Sequence, residues 1–317
     1  MTPLRKYIAP FALLIAVAPL TVHAAEPTNT YFALHDLGHG VWAAISLPKS
    51  KAGANAGFVI GPHGVLVIDT FEDPAAAEAM LAAIRAKTTE PIRYVVDTHY
   101  HLDHTAGNNV FAKAGAVVMA QDNVRTWERT QNLKFFGPHP TAKQKAFVAT
   151  LGLPSVTWAH GITIWLGDRK VVVRALEGHT GSDSTVVIPD ATVVFTGDIF
   201  WDHTLPNLID ANTKVQIASN DAYLHDYPDY TFVPGHGDIG HAADVRAFRD
   251  YLVTLRRDVA AAQAARKSGD ALVGAVLPDL QKQYGGWGWF KYFARKDIEL
   301  TAAELKGTKK VPIPGEP

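Results

Sequence analysis

His99, His101, Asp103 and His104 fall within six residues, in the run His-Tyr-His-Leu-Asp-His. Three imidazoles and a carboxylate crowded onto so short a segment are costly to bury as packing, because each needs a polar partner once it leaves water. Neutral imidazole and carboxylate oxygen are the donors that suit zinc, with bonds of ~2.0–2.2 Å and room for an open position. Alternate side chains of an extended segment share a face, so His99 and His101 point the same way. Asp103 and His104 lie beyond it, where the chain turns into a helix. One loop can thus feed two adjacent metal positions.

Such a loop needs a scaffold. Ile92-Arg93-Tyr94-Val95-Val96 is a β-branched and aromatic run leading into His99, followed by an expected helix over about 105–112 and a strand at Val117-Val118-Met119. Strand, ligand loop, helix and strand make an α/β unit, which sets the histidines at the carboxyl end of a strand, where open sheets bind ligands. Upstream, Val41-Trp42-Ala43-Ala44-Ile45, Gly57-Phe58-Val59-Ile60 and Gly64-Val65-Leu66-Val67-Ile68 predict an antiparallel meander, with Gly61-Pro62-His63-Gly64 closing a hairpin. Asp73 caps a helix whose first position is Pro74.

From about 131 to 161 the periodicity fades and prolines accumulate, predicting a long loop with a short helix near 142–150. Strands resume over 162–166, 171–174, 185–188 and 193–196, with helices near 213–226 and 241–265. Two strand-rich stretches, each followed by helices, predict two sheets packed face to face with helices outside. Residues 268–317 carry Gly285-Gly-Trp-Gly-Trp-Phe290 and a last expected helix near 301–306, and are read as an appendage on the same core.

The chain has 317 residues, 47% of them apolar, and a formal net charge of −1. That composition suits a globular protein, and with no long run of Lys and Arg it excludes the electrostatic footprint of nucleic-acid binding. The expected partner is a small-molecule substrate. There is no cysteine, which rules out disulfides and thiolate ligands. Arg5 and Lys6, the apolar run from Ile8 to Leu20 and Val22-His23-Ala24 form a basic start, an apolar centre and a small-residue cleavage pattern. This predicts a signal peptide over 1–24 and a periplasmic or secreted protein. The run falls short of the ~20 residues that span a bilayer, so no membrane span is expected after cleavage. The expected organisation is a signal peptide (1–24), a catalytic domain (25–267) and the appendage (268–317).

His99-Tyr-His-Leu-Asp-His104 resembles the H-x-H-x-D-H signature of the metallo-β-lactamase superfamily. Downstream, Gly178-His179-Thr180 resembles the family's G-H-T step, Thr196-Gly197-Asp198 its G-D step and Pro234-Gly235-His236-Gly237 its P-G-H-G step. The resemblance implies an αββα sandwich with two zinc ions at one edge. It implies that His99, His101 and His179 hold one ion, that Asp103, His104 and His236 hold the other, and that Asp198 bridges them. Two zinc ions ~3.5–4 Å apart lower the pKa of a shared water towards ~7 and stabilise the developing oxyanion. Asp103 is then also the candidate to orient the nucleophile and move its proton. Asp69 and Asp97 are candidates to back the ligand histidines, and Gly178, Gly235 and Gly237 to allow the turns that present them.

The expected reaction is zinc-dependent hydrolysis of an activated carbonyl, a β-lactam-like substrate or a lactone. Asp198 departs from β-lactamases that use cysteine at this step and instead resembles glyoxalase II-type thioesterases, which makes thioester hydrolysis the alternative. Mononuclear-iron sulfur oxidation and non-catalytic periplasmic metal binding are further alternatives. The other histidines, such as His35, His63 and His203, read as ordinary surface or core residues. Trp127, Phe135, Phe136 and His139 are candidates for an apolar wall over the metals, core packing being the simpler reading of each, and Asn207, Asn212 and Tyr223 receive no role.

Overall fold

The computed structural model describes residues 29–316, so the expected signal peptide lies outside the described residues. The first sheet has seven strands in chain order: β1 (Phe32–Asp36), β2 (Val41–Ser46), β3 (Ala56–Gly61), β4 (Gly64–Ile68), β5 (Ile92–Val96), β6 (Val117–Gln121) and β7 (Val156–Trp158). β1 to β4 form the expected antiparallel meander, and β4 to β7 pair in parallel. The second sheet comprises β8 (Gly161–Leu166), β9 (Arg169–Ala175), β10 (Ser184–Ile188), β11 (Val193–Trp201) and β12 (Thr231–His236), ordered β12-β11-β10-β9-β8. Every residue of β4, β10 and β11 is buried, which explains the apolar runs over 65–68, 186–188 and 193–195, since strands covered on both faces need no polar alternation.

The two sheets meet through Leu66, Ile68, Val96 and Met119 on one side and Val171, Val186, Ile188 and Phe195 on the other. The outer face of the first sheet is covered by α1 (Pro74–Lys87) and α3 (Asn108–Lys113), which bury Met80, Ile84 and Phe111 against Val65, Val67 and Val95. The second sheet is covered by α6 (Thr213–Asp226), α7 (Ala242–Ala264), α8 (Gly269–Tyr284) and α9 (Phe290–Leu305), with Phe248, Tyr251 and Leu255 in the middle of that layer. The architecture is an αββα sandwich with further helices at its carboxyl end. Asp73 caps α1 by accepting from Ala75 N at 2.9 Å, with Pro74 at the first helical position as the sequence predicts.

Several elements depart from expectation, among them β7, inside the stretch read as a loop, and β12, which the sequence reading does not list as a strand. The single helix over 105–112 is broken into α2 (Leu102–Thr105) and α3, because the His104 carbonyl accepts from Thr70 N and Thr70 Oγ1 and cannot accept from the next helical turn. The stretch after β6 contains α4 (Asp122–Trp127), a 3₁₀ turn (Asn132–Phe136) and α5 (Ala142–Ala149), of which only α5 is predicted. The tail forms two helices, α8 and α9, where the sequence reading places one short helix. Pro278 inside α8 obscures it, although Leu272, Val273, Val276 and Leu280 share a buried face. No helix among the described residues is long and apolar enough to cross a membrane.

Candidate metal centre

The seven residues read from the sequence as metal ligands converge at one edge of the sandwich. His99, His101, Asp103 and His104 follow β5, His179 stands in the loop between β9 and β10, Asp198 lies within β11, and His236 ends β12. The β11 pairing with β12 shifts register on either side of Gly197, a bulge that re-aims the next side chain, and the next side chain is Asp198. The two halves are joined at the site by Ser184 N donating to Thr98 O and Asn55 N donating to Gly235 O, at 2.6 and 2.7 Å.

The donors fall into two sets. His99, His101, His179 and Asp198 form one compact group, and Asp103, His104 and His236 form another. Asp198 reaches both: Oδ2 lies 3.1 Å from His179 Nε2 and 3.7 Å from His99 Nε2, while Oδ1 lies 3.2 Å from His104 Nε2. Its Oδ2 is also 3.5 Å from His236 Nε2, which is 3.3 Å from Asp103 Oδ2.

The hydrogen bonds behind the rings fix which nitrogen faces inward. His104 Nδ1 donates to Asp69 Oδ2 at 2.8 Å. The Thr98 hydroxyl donates its one proton to the same oxygen at 2.8 Å, so the 3.1 Å contact from His99 Nδ1 to Thr98 Oγ1 requires His99 to be the donor. His101 Nε2 donates to Asp210 Oδ2 at 2.9 Å and turns Nδ1 towards His179 Nε2, 3.1 Å away. These bonds turn His99 Nε2, His101 Nδ1 and His104 Nε2 into the site. Asp69 backs His104 directly and His99 through Thr98, whereas Asp97 sits a layer further out and accepts from Asn108 Nδ2.

Electrostatics sharpen this donor set. Burial pushes His99 well below its ordinary value and His179 down to about 3, with neighbouring imidazoles adding to the effect, so both are neutral. Burial alone would raise Asp198, but the surrounding histidines more than offset it and hold the carboxylate well below its usual range. Burial works against protonating His104 and His236, yet Asp198 and its neighbouring carboxylates raise both, His236 to about 9. The site thus holds more negative charge than neutral imidazoles can balance. His99 Nε2, His104 Nε2 and Asp198 Oδ1 are buried without a hydrogen-bond partner. Three orphaned donor atoms facing one another are expensive for a packed core and ordinary for metal ligands, so the residues fit a pair of bound cations.

The glycine reading is partly corrected. Gly178 and Gly237 have positive φ, at 151° and 93°, as turns require, but Gly235 does not: a Cβ there would stand 1.8 Å from Asp198 Oδ1, so this glycine is needed for close approach.

The centre opens into a cleft of about 940 Å³. Trp201 forms part of its floor, with its ring 4.0 Å from that of His236 and its Nε1 donating to Asp198 O. Phe135 packs edge-on against His101 at 4.9 Å, and Phe136 joins it in the wall. Trp127 is buried beneath Tyr100, and His139 is exposed away from the cleft. Asn207 lines the cleft, Asn212 caps α6 and Tyr223 is a buried partner of Thr185. Sequence reasoning missed Asp210, which besides His101 accepts from Tyr100 Oη and Lys134 Nζ, both at 2.6 Å. No motif surrounds it, since it lies in an irregular segment before α6. Trp289, in the turn before α9, was also missed.

A two-sheet sandwich with a two-set histidine and carboxylate centre at one edge defines a class of metallohydrolase folds. The family model for the metallo-beta-lactamase superfamily matches residues 51–261, and the chain belongs to that superfamily. The acyl-coenzyme A thioesterase MBLAC2 of Gallus gallus is 27% identical over 190 residues, covering 55% of this chain and 68% of its own. The hydroxyacylglutathione hydrolase of Brucella anthropi is 28% identical over 147 residues, 44% of this chain and 47% of its own. Among solved structures, the metallo-beta-lactamase from Pontibacter korlensis superposes with a TM-score of 0.58 at 22% identity, over 70% of this chain and 99% of that one. Its likeness establishes the fold, and the sequence relatives place this chain among the superfamily's hydrolases.

Proposed function

We propose that the chain is a dinuclear zinc hydrolase of activated carbonyl substrates. The observation that carries this reading is the position of Asp198, whose two oxygens reach across both donor sets. His99, His101 and His179 would hold one ion, Asp103, His104 and His236 the other, and Asp198 both. When bound, zinc supplies a Lewis acid that polarises the carbonyl and lowers the pKa of water towards ~7. Asp103 is held well below the ordinary carboxylate range by His104 and His236, against the effect of its burial. It therefore stays a carboxylate and acts as a hydrogen-bond acceptor, orienting the attacking water through a carboxylate oxygen. Trp201, Phe135 and Phe136 form an apolar wall beside the reacting carbonyl.

Of the expected substrates, β-lactams, lactones and thioesters, the thioester has the best support, because two relatives are named for acyl-coenzyme A and hydroxyacylglutathione. Water adds its oxygen to the acyl carbon, the carbon–sulfur bond breaks, and the thiol leaves with a proton. The test is metal quantification with a panel of thioesters, lactones and nitrocefin on the mature chain, beside Asp198→Ala. Two zinc per chain with turnover is expected, and the variant should lose one zinc and most activity. Retention of both by Asp198→Ala overturns the bridging role, and one iron with oxygen uptake favours sulfur oxidation. Export through residues 1–24 belongs to the same proposal and predicts a mature protein beginning at Ala25.

A further inference from the structure

Residues beyond the family match build one wall of the cleft. That match ends at 261, whereas Trp289, Tyr292 and Phe293 line the cavity beside His236. The turn between α8 and α9 is tied to the segment after β11: Gly288 N donates to His203 O at 2.8 Å and Leu205 N donates to Gly288 O at 2.9 Å. The approach is close enough that a Cβ on Gly288 would lie 2.7 Å from Thr204 Oγ1. The next residue, Trp289, is held at φ 58° and ψ 10°, a left-handed conformation unfavourable for a bulky side chain. Its ring stands 5.0 Å from His236, 5.5 Å from Trp201 and 5.7 Å from Phe293.

These rings are not sealed away. Trp289 is 40% exposed, Tyr292 79% and Phe135, across the centre beside His101, 36%. Large apolar side chains left open to solvent and gathered at one concave site mark a surface that meets an apolar ligand. The charge of the cleft agrees. Away from the metal centre, Lys49 is the only lysine or arginine among the described residues lining it, set against Glu72, Asp202 and Asp238. Cleft walls so poor in cations are not built to hold a multiply anionic group.

We infer that the α8–α9 turn is a specificity wall: Trp289 and Tyr292, with Phe293 behind them, receive the apolar acyl chain of the substrate. This rests on the reading of the cleft as a hydrolytic site. The wall selects acyl groups of several carbons over acetyl, and it leaves the thiol part of the thioester towards solvent.

The test uses the zinc-loaded chain with acetyl and octanoyl thioesters of N-acetylcysteamine, a thiol with no phosphate to confuse the reading. Trp289→Ala removes the contact of about two methylene groups, so the octanoyl-to-acetyl ratio of kcat/KM should fall about tenfold. Tyr292→Ala, at an exposed helix position, should lower it severalfold without disturbing the fold. A second readout needs no turnover: calorimetric binding of the thioether S-octyl-N-acetylcysteamine should weaken by the same factors relative to its S-ethyl analogue. If wild type hydrolyses neither thioester but binds the octyl thioether in preference to the ethyl, and Trp289→Ala abolishes that preference, the wall stands and the hydrolytic reading falls. If both variants keep the wild-type chain-length ratio in turnover and in binding, the wall is overturned and the hydrolytic reading is untouched.

Discussion

Asp210 offers the sharpest test of how the centre is held. Its side chain is only 3% exposed and accepts from His101 Nε2 at 2.9 Å, leaving Nδ1 to face the site. Burial would raise its pKa, but His101 and Lys134 more than offset this and keep it ionised well below the ordinary range. Asp210→Asn preserves the size and removes the charge, converting a charge-assisted bond worth ~1.5–3 kcal/mol into a neutral one worth ~1 kcal/mol. The difference is about 0.5–2 kcal/mol, and the full loss in Asp210→Ala reaches the 10–100-fold in metal affinity typical of a partner behind a ligand histidine. Because His101 belongs to one donor set, only one zinc equivalent should weaken. Competition against a chromogenic chelator resolves the two equivalents. Lys134→Met removes another partner of Asp210, leaving Tyr100 and His101 in place, and should change affinity much less, since the lysine touches no ligand. Two zinc equivalents bound by Asp210→Ala within twofold of wild type would refute the reasoning.

Thr98→Val breaks the relay from His99 through Thr98 to Asp69 and should weaken the same zinc equivalent about tenfold, with secondary structure unchanged by circular dichroism. Gly235→Ala drives a methyl into Asp198 Oδ1, so the purified variant should carry at most one zinc by elemental analysis. Asn55→Ala removes acceptance from Ser46 N and donation to Pro234 O and Gly237 O, and should cost about 2–4 kcal/mol in denaturant unfolding. Metal binding should depend on pH. His236 is raised from 6.5 to about 9 by Asp198 and Asp103 against its burial, so zinc must displace a proton below that value. Apparent zinc affinity should rise by at least about tenfold per pH unit between 6.5 and 9, and more steeply where His104 also gives up a proton. In the metal-free chain the sign is opposite: this histidine's stabilisation is complete below 6.5 and is lost as pH rises through 9. A flat titration from 7 to 9 would count against this picture.

What could be read from the sequence follows from how local each signal is. Strands such as β4 and β10 announce themselves because double-sided burial leaves uninterrupted β-branched runs. The ligands were legible because the chemistry needs particular residue types next to glycines at strand ends, and that pattern survives in one dimension. Asp210 had no such context. Its role depends on a segment 109 residues from His101 arriving behind that ring, which is a property of tertiary packing alone. Trp289 was hidden for a similar reason, since the Gly-Gly-Trp-Gly-Trp run identifies a turn but not the surface against which it lies. The division of 105–112 into two helices likewise turned on Thr70 capturing the His104 carbonyl, a contact between distant parts of the chain.

The distribution of ligands over the two sheets ties metal binding to folding. The first sheet supplies the His99–His104 loop, and the second supplies His179, Asp198 and His236. An ion held by His99, His101 and His179 bridges the sheets, and so does one held by His104 and His236. The chain contains no cysteine and hence no covalent link between them. At this edge, without metal, the sheets are joined by a few bonds such as Ser184 N to Thr98 O, while buried carboxylates and orphaned ring nitrogens oppose closure. Ligands that bind only the folded arrangement stabilise it by RT ln(1 + [L]/Kd), about 4 kcal/mol at a thousandfold excess over Kd. The seven side chains of the candidate centre are therefore those whose burial would be relieved by a bound metal, and chelation of that metal should loosen this edge before it disturbs the helical layer around Phe248 and Tyr251.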